Sequence, residues 1–398
     1  MNILVVTLNV PRPSWGAGTR NYQLLRAMGE RHRVSLFALA EDAPAGERDA
    51  DSLREFTRAV YVVPVPAIQR KRLQQLLCVA RGRSYWLTAY CPPAAGAALA
   101  ALCQREHFDA VVFESVLVAG YATPPGARVI IDQHNIEHEL VWRTYEQETS
   151  PLRKWYSRME YTQLKKGELE RCRRADAILV TSERERLLLG KLLPESVIAV
   201  APNGVDLTTF SAAPLDGGMT EEVADRIVFT GTLGYYPNEQ AVLHFAERCW
   251  PLIRKQVPRA TWQIVGSNPP DSVRQLGVLP GVTVTGTVPS VQPYLAAASI
   301  AVVPLLVGSG TRLKILEALA MRKAIVTTSL GCEGIALTAG QHALIADEPD
   351  AFAAAVVRLL KEPETRAALG AAGRALVEEQ YSWDRCAEPL VRVLEETN

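Results

Sequence analysis

Short apolar runs alternate with stretches of helical periodicity along almost the whole chain, and no other feature narrows the possible folds as much. The runs fall at residues 2–8, 34–39, 59–65, 110–113, 129–131, 177–181 and 197–200, then at 227–230, 261–265, 282–284, 300–304 and 324–328. Apolar side chains on both faces of a short run mark a central parallel strand rather than a half-exposed antiparallel one. Strands separated by helices imply parallel pairing through right-handed crossovers, hence an α/β fold whose ligands gather at the carboxyl ends of the strands. Between the two series lies Pro202-Asn203-Gly204-Val205-Asp206, followed by Pro214, Gly217 and Gly218 with no periodicity up to about residue 225. That composition marks a domain boundary. At 398 residues the chain is long enough for two domains of this α/β kind, 1–201 and 226–382, joined by a linker at 202–225, with a cleft between them.

The chemistry concentrates at residues 308–324, Gly-Ser-Gly-Thr-Arg-Leu-Lys-Ile-Leu-Glu-Ala-Leu-Ala-Met-Arg-Lys-Ala. An apolar strand feeds a glycine turn, and from Thr311 onward Leu313, Leu316 and Ala320 recur at helical spacing. A helix start offers unpaired N–H groups and the positive end of a dipole, and Arg312 and Lys314 add two cations beside it, so an anion with several oxygens is the expected guest. Glu317 shares an arc with Leu313, Ala320 and Met321. Two readings stand for it: an ion pair with Lys314 on a solvated face, or an acceptor for the sugar hydroxyls of a nucleotide whose diphosphate sits on the loop.

Charge and cysteine usage limit the partners. The formal net charge is zero, with 43 basic and 43 acidic side chains, which argues against nucleic acid. The seven cysteines are scattered without metal or redox spacing and read as thiols of a reducing compartment, so neither a metal nor a cofactor is expected. No run approaches the ~18 apolar residues of a membrane span, and the start lacks the basic front of a signal peptide, so a cytoplasmic chain is expected. Two basic stretches qualify this. Residues 69–86 carry Arg70, Lys71, Arg72, Arg81 and Arg83 among Leu73, Leu76 and Leu77, and residues 152–174 carry eight basic residues with Trp155, Tyr156 and Tyr161. Solvated helix faces explain both; the alternative is peripheral contact with the anionic inner face of a membrane, or a grip on a phosphorylated acceptor.

In the first half, Pro11-Arg12-Pro13-Ser14-Trp15-Gly16-Ala17-Gly18-Thr19-Arg20 separates the first strand from a helix expected at about 21–30. It is not the dinucleotide fingerprint, having two prolines and no third glycine. Gly16 and Gly18 either shape a turn or, with Arg20, frame the wall of a cleft. Asp132-Gln133-His134-Asn135 directly follows a strand, where a histidine is well placed for function.

Taken together, Gly16-Ala17-Gly18, Asp132-x-His134-Asn135, Pro202-Asn203-Gly204-Val205-Asp206, Phe229-Thr230-Gly231-Thr232, Ile264-Val265-Gly266, residues 308–320 and Tyr381-Ser382-Trp383 resemble a retaining glycosyltransferase of family 4, with the GT-B fold of two Rossmann-like domains. Tyr236-Pro237-Asn238 is similar to a motif of bacterial transferases of exopolysaccharide and surface-glycan synthesis. The resemblance implies a C-terminal helix at about 383–398 crossing back to the first domain. It implies metal-independent transfer from a nucleotide-diphosphate sugar to a glycan, glycolipid or small-molecule hydroxyl. Donor-side residues would be Gly16, Gly18, Gly231, Thr232, Gly266, Val288, Ser309, Gly310, Thr311 and Glu317: base near Gly266 and Val288, ribose on Glu317, diphosphate on the 309–311 amides. Arg20, Asp132 and Asn135 would lie on the acceptor side, and His134, Arg312 and Lys314 at the reacting groups. Two departures stand out. Ser309 occupies a position where many members have glutamate, and Thr232 and Asn238 stand where they have arginine and lysine, which Arg312 and Lys314 would replace. Rival classes on the same architecture are a nucleotide-sugar epimerase and a non-catalytic nucleotide-sugar-binding protein. Nothing in the chain specifies an oligomeric state.

Overall fold

The computed structural model describes residues 1–13, 16–65, 71–211, 222–308 and 310–396. Two compact units emerge, Met1–Pro202 with Asp384–Asn398, and Asn203–Trp383.

In the first unit, β1 (Asn2–Thr7), β2 (Arg33–Ala40), β3 (Ala59–Pro64), β4 (Ala110–Phe113), β5 (Arg128–Gln133), β6 (Ala177–Val180) and β7 (Ile198–Val200) form one sheet in the order β3-β2-β1-β4-β5-β6-β7. Every pairing is parallel. Because successive side chains on a strand point to opposite faces, β1 serves two cores. Ile3 and Val5 pack with Leu24 and Leu25 of the helix Gly16–Gly29 and with Leu390 and Leu394 of the helix Trp383–Glu395. Leu4 and Val6 pack on the other face with Leu99 and Leu102 of the helix Pro93–Arg105. The last fifteen residues of the chain thus supply part of a core that the first thirty begin.

The second unit repeats the plan. β8 (Arg226–Thr230), β9 (Thr261–Val265), β10 (Val282–Gly286), β11 (Ile300–Val303), β12 (Ala324–Thr327) and β13 (Leu344–Ile345) pair in parallel in the order β10-β9-β8-β11-β12-β13. Its core holds Phe245 against Trp262 and Phe352, at centroid distances of 4.6 and 5.9 Å. In both sheets the strand order reverses beside the first strand, between β1 and β4 and between β8 and β11. Those are the two points at which such sheets leave a crevice at their carboxyl ends.

Three details depart from the sequence reading. The first helix begins at Gly16, five residues earlier than periodicity indicates, so Gly16 and Gly18 belong to its first turn rather than to a loop. An apolar pattern cannot register a first turn made of Gly-Ala-Gly, which has no large side chain to bury. The helix expected from Thr311 begins at Leu313, with Arg312 in extended conformation as its cap. β13, two residues long, has no periodicity to detect.

Candidate active site

At the reversal point of the second sheet, β11 runs into the glycine turn and the helix Leu313–Ala320. Ile315, Leu316 and Leu319 are fully buried and fix the helix rotation, which brings Lys314 to the flank facing the end of β8, with Glu317 one turn on. Lys314 Nζ donates to Asn238 Oδ1 at 2.8 Å and lies 4.0 Å from the centroid of the Phe229 ring, a cation–π placement. Asn238 is itself oriented by its Nδ2, which donates to the Thr232 carbonyl at 2.9 Å. The ammonium passes directly over Gly231: a Cβ there would stand 2.7 Å from Nζ and 2.9 Å from Asn238 Nδ2. Glycine at 231 is therefore a clearance for the lysine. Gly266, at the end of β9, approaches closer still, since its Cβ would fall 1.6 Å from the Gly231 carbonyl oxygen. Val288 follows β10 in a half-buried loop, so Gly231, Gly266 and Val288 line the carboxyl ends of three neighbouring strands.

Lys314 and Glu317 do not neutralise one another in an ion pair: among the described residues Glu317 accepts no hydrogen bond, and Lys314 donates only to Asn238. Both residues keep some surface in contact with solvent, but their charged ends are ringed by protein. Burial pushes Lys314 down to about 7, the Arg312 charge adding to the fall and Glu317 opposing it. Burial pushes Glu317 up to about 7 against the pull of Lys314. A carboxylate with no donor beside an ammonium held near neutrality calls for a ligand bringing hydroxyls to the one and negative charge to the other. Arg312 folds back over the turn, donating to the Gly310 carbonyl, with Nη2 2.9 Å from where a Cβ on Gly308 would stand. Asn203 Nδ2 donates to the buried Thr311 carbonyl at 3.2 Å and so ties the turn to the segment that opens the unit. Ser309 lies outside the described residues.

In the first unit, the carboxyl ends of β1, β4 and β5 bring a different set together. Arg20 and Asp132 are both buried and face each other, Nε to Oδ2 at 2.9 Å and Nη2 to Oδ1 at 2.6 Å, with Arg20 Nη1 reaching the Pro202 carbonyl at 3.2 Å. They hold the ends of a helix and a strand. His134 Nδ1 lies 3.1 Å from the Glu114 carbonyl oxygen. A carbonyl only accepts, so Nδ1 carries the proton and Nε2 the lone pair. Burial lowers the His134 pKa, Arg20 adding to the effect and Asp132 resisting it, so the neutral ring is favoured. Asn135 is half-buried beside it.

Two carboxylates here carry no sequence signal. Glu114 accepts from the Leu8 amide at 2.5 Å and from Asn21 Nδ2, and burial pushes it up to about 8. Glu168, fully buried on the helix Pro151–Cys172, accepts from the Glu137 and His138 amides at 3.1 and 2.9 Å and from His138 Nδ1 at 2.8 Å. It thereby pins the turn that presents His134. Glu114 leaves only the trace of a lone acid on an apolar stretch, and Glu168 is hidden among the charged residues 165–171.

Two doubly wound parallel sheets, the second with a cationic helix mouth at its reversal point, define the GT-B class of fold. The glycosyl transferases group 1 family model matches residues 224–362, and the glycosyltransferase family 4 model matches residues 16–209. The chain is similar to a phosphatidyl-myo-inositol mannosyltransferase of Mycolicibacterium smegmatis, 29% identical over 207 residues; the match spans 49% of this chain and only half the length of that relative. In fold it is similar to sucrose-phosphate synthase from Thermosynechococcus elongatus, with a TM-score of 0.71 at 16% identity over 99% of this chain and 98% of the other. It is also similar to HepE of Anabaena, solved in complex with UDP, with a TM-score of 0.68 at 14% identity over 99% of both chains. The chain belongs to the family 4 glycosyltransferases.

Proposed function

We propose that the protein is a retaining, metal-independent glycosyltransferase that moves a sugar from a nucleoside-diphosphate donor to a hydroxyl of a glycan, glycolipid or small-molecule acceptor. The observation that carries this reading is the juxtaposition of Glu317, without a hydrogen-bond donor among the described residues, and Lys314, an ammonium whose pKa burial pushes down to about 7, at the mouth of one helix. A ribose would donate hydroxyls to Glu317 while the diphosphate meets Lys314, Arg312 and the amides of the first helical turn, with Gly231 and Gly266 giving the backbone clearance. Complexes of HepE with UDP-glucose and with UDP and glucose support a sugar nucleotide as the donor class.

Glycosyl transfer builds positive charge at the anomeric carbon and negative charge on the departing diphosphate, so fixed cations and N–H groups stabilise the transition state more than the ground state. Two cations on one helix mouth supply the neutralisation that a metal provides elsewhere. Neutral His134, whose Nδ1–H is directed at the Glu114 carbonyl, carries an Nε2 lone pair of the kind that accepts a hydrogen bond from a sugar hydroxyl.

The test is a thermal-shift titration with UDP, GDP and dTDP, and with their sugars, followed by nuclear magnetic resonance of the product's anomeric configuration. One nucleotide should stabilise the protein by about 2.7 kcal/mol at a hundredfold excess over its dissociation constant. Lys314→Ala and Arg312→Ala should each cost about 3 kcal/mol of transition-state stabilisation, roughly a hundredfold in turnover. Absence of any nucleotide shift, or wild-type turnover in both variants, would overturn the assignment; a product of inverted configuration would overturn retention alone.

A further inference from the structure

The helix Lys71–Ala80 is amphipathic with its apolar side turned outward. Cys78 is its buried residue, whereas Leu73, Leu76 and Leu77, spaced to share one face, are 48%, 64% and 45% exposed. Exposed leucines are ordinary singly, but three on one stripe are not. The helix Pro151–Cys172 adds to the same surface. Tyr156 lies beside Gln75 of the helix Lys71–Ala80, and Leu152, one turn before Tyr156 on the same face, is 75% exposed; neighbouring Trp155 is 52% exposed. Beneath them Glu160 accepts from Ser84 Oγ at 2.5 Å and from the Tyr85 amide at 3.0 Å, which ties the helix Pro151–Cys172 to the short helix Tyr85–Ala89 that follows Lys71–Ala80 in the chain.

The charged side chains within these two segments have one sign. Lys71, Arg72, Arg81 and Arg83 flank the leucine stripe, and Arg153, Lys154 and Arg158 surround Leu152 and Trp155. Residues 71–83 and 150–158 contain no acidic side chain, in a chain whose charges cancel overall. Apolar side chains with an aromatic ring, ringed by cations, match the boundary between acyl chains and anionic headgroups. No helix among the described residues is long and apolar enough to cross a membrane, so the contact would be on the surface.

We propose that this patch docks the first unit onto an anionic lipid bilayer, with Leu73, Leu76, Leu77, Leu152 and Trp155 entering the interface and the surrounding Lys and Arg side chains meeting headgroup phosphates. The proposal is independent of the transfer chemistry, because its readout requires no turnover. The experiment is co-sedimentation of the full chain with vesicles of phosphatidylcholine alone and of phosphatidylcholine with phosphatidylglycerol. The chain should partition onto the anionic vesicles and not onto the neutral ones, with release at high salt. Leu76→Ser with Leu77→Ser should weaken partitioning by at least roughly tenfold, and Lys71→Glu with Arg72→Glu by on the order of thirtyfold, with thermal unfolding unchanged because all four side chains are exposed. Failure to bind anionic vesicles, or binding indifferent to both double variants, would overturn the proposal. So would a self-associated wild type that the leucine variant turns into monomers with no effect on vesicle binding, which would assign the face to a second copy of the chain.

Discussion

Lys314 and Glu317 share a helix mouth, and each is held near neutrality by burial. A diphosphate would favour the ammonium and raise the lysine pKa above about 7, so nucleotide affinity should fall as pH rises past that value. Ribose hydroxyls would favour the carboxylate and lower the glutamate pKa, so affinity should also fall as pH drops below about 7. Isothermal titration should show an affinity maximum near neutrality, losing its acid limb in Glu317→Gln and its alkaline limb in Lys314→Arg, whose charge persists. Arg20 and Asp132 behave differently. Theirs is a buried, bidentate pair, and removing one partner strands the other, so Asp132→Ala should destabilise the protein by about 3–5 kcal/mol in denaturant unfolding. An Asp132→Ala variant with unchanged stability and weakened acceptor binding would show that the pair meets substrate.

At the scale of elements, the second site depends on how closely the strand ends approach. Gly266 sits against the Gly231 carbonyl, and Gly231 beneath Lys314 Nζ, so β8, β9 and the helix Leu313–Ala320 meet with no room for a methyl group. Gly266→Ala cannot be absorbed by a rotamer change, because the obstacle is backbone. It should lower stability by about 1–3 kcal/mol and weaken nucleotide binding together, read by denaturant unfolding and by titration of the same sample. Gly231→Ala meets a flexible ammonium instead of backbone, but its φ of +154° disfavours any side chain, so it should lower affinity and stability together. Strand positions and types were legible from periodicity because a buried strand needs both faces apolar. The first turn at Gly16 was not, because small residues leave no such record.

Over the whole molecule, the second unit is one continuous segment, but the first is made from two. The chain passes through both sheets and then returns Ala387, Leu390, Val393 and Leu394 to the core built on Ile3 and Leu25. Arg31 meets Glu388 at 3.0 Å on the rim of that packing. Ending the chain at Trp383 should leave a hole in the first unit's core worth about 1.5–3 kcal/mol for each large side chain lost. The first unit should then unfold or aggregate at temperatures where the second still gains protection from nucleotide, as proteolysis with and without UDP would show. A truncated chain with full-length stability would refute this account of the fold.

The sequence by itself determined the α/β class, the two series of parallel strands and the glycine turn with its two cations, because burial on a strand or helix leaves a period that neighbouring residues record. Only the tertiary structure decided where those side chains go. Lys314 finds Asn238, 76 positions away, and Gln133 finds Glu168, because strand order sets which loops become neighbours. Glu114 becomes a buried acid for the same reason: the partners that cover it, Leu8 and Asn21, come from another strand and helix, and no local pattern can carry that information.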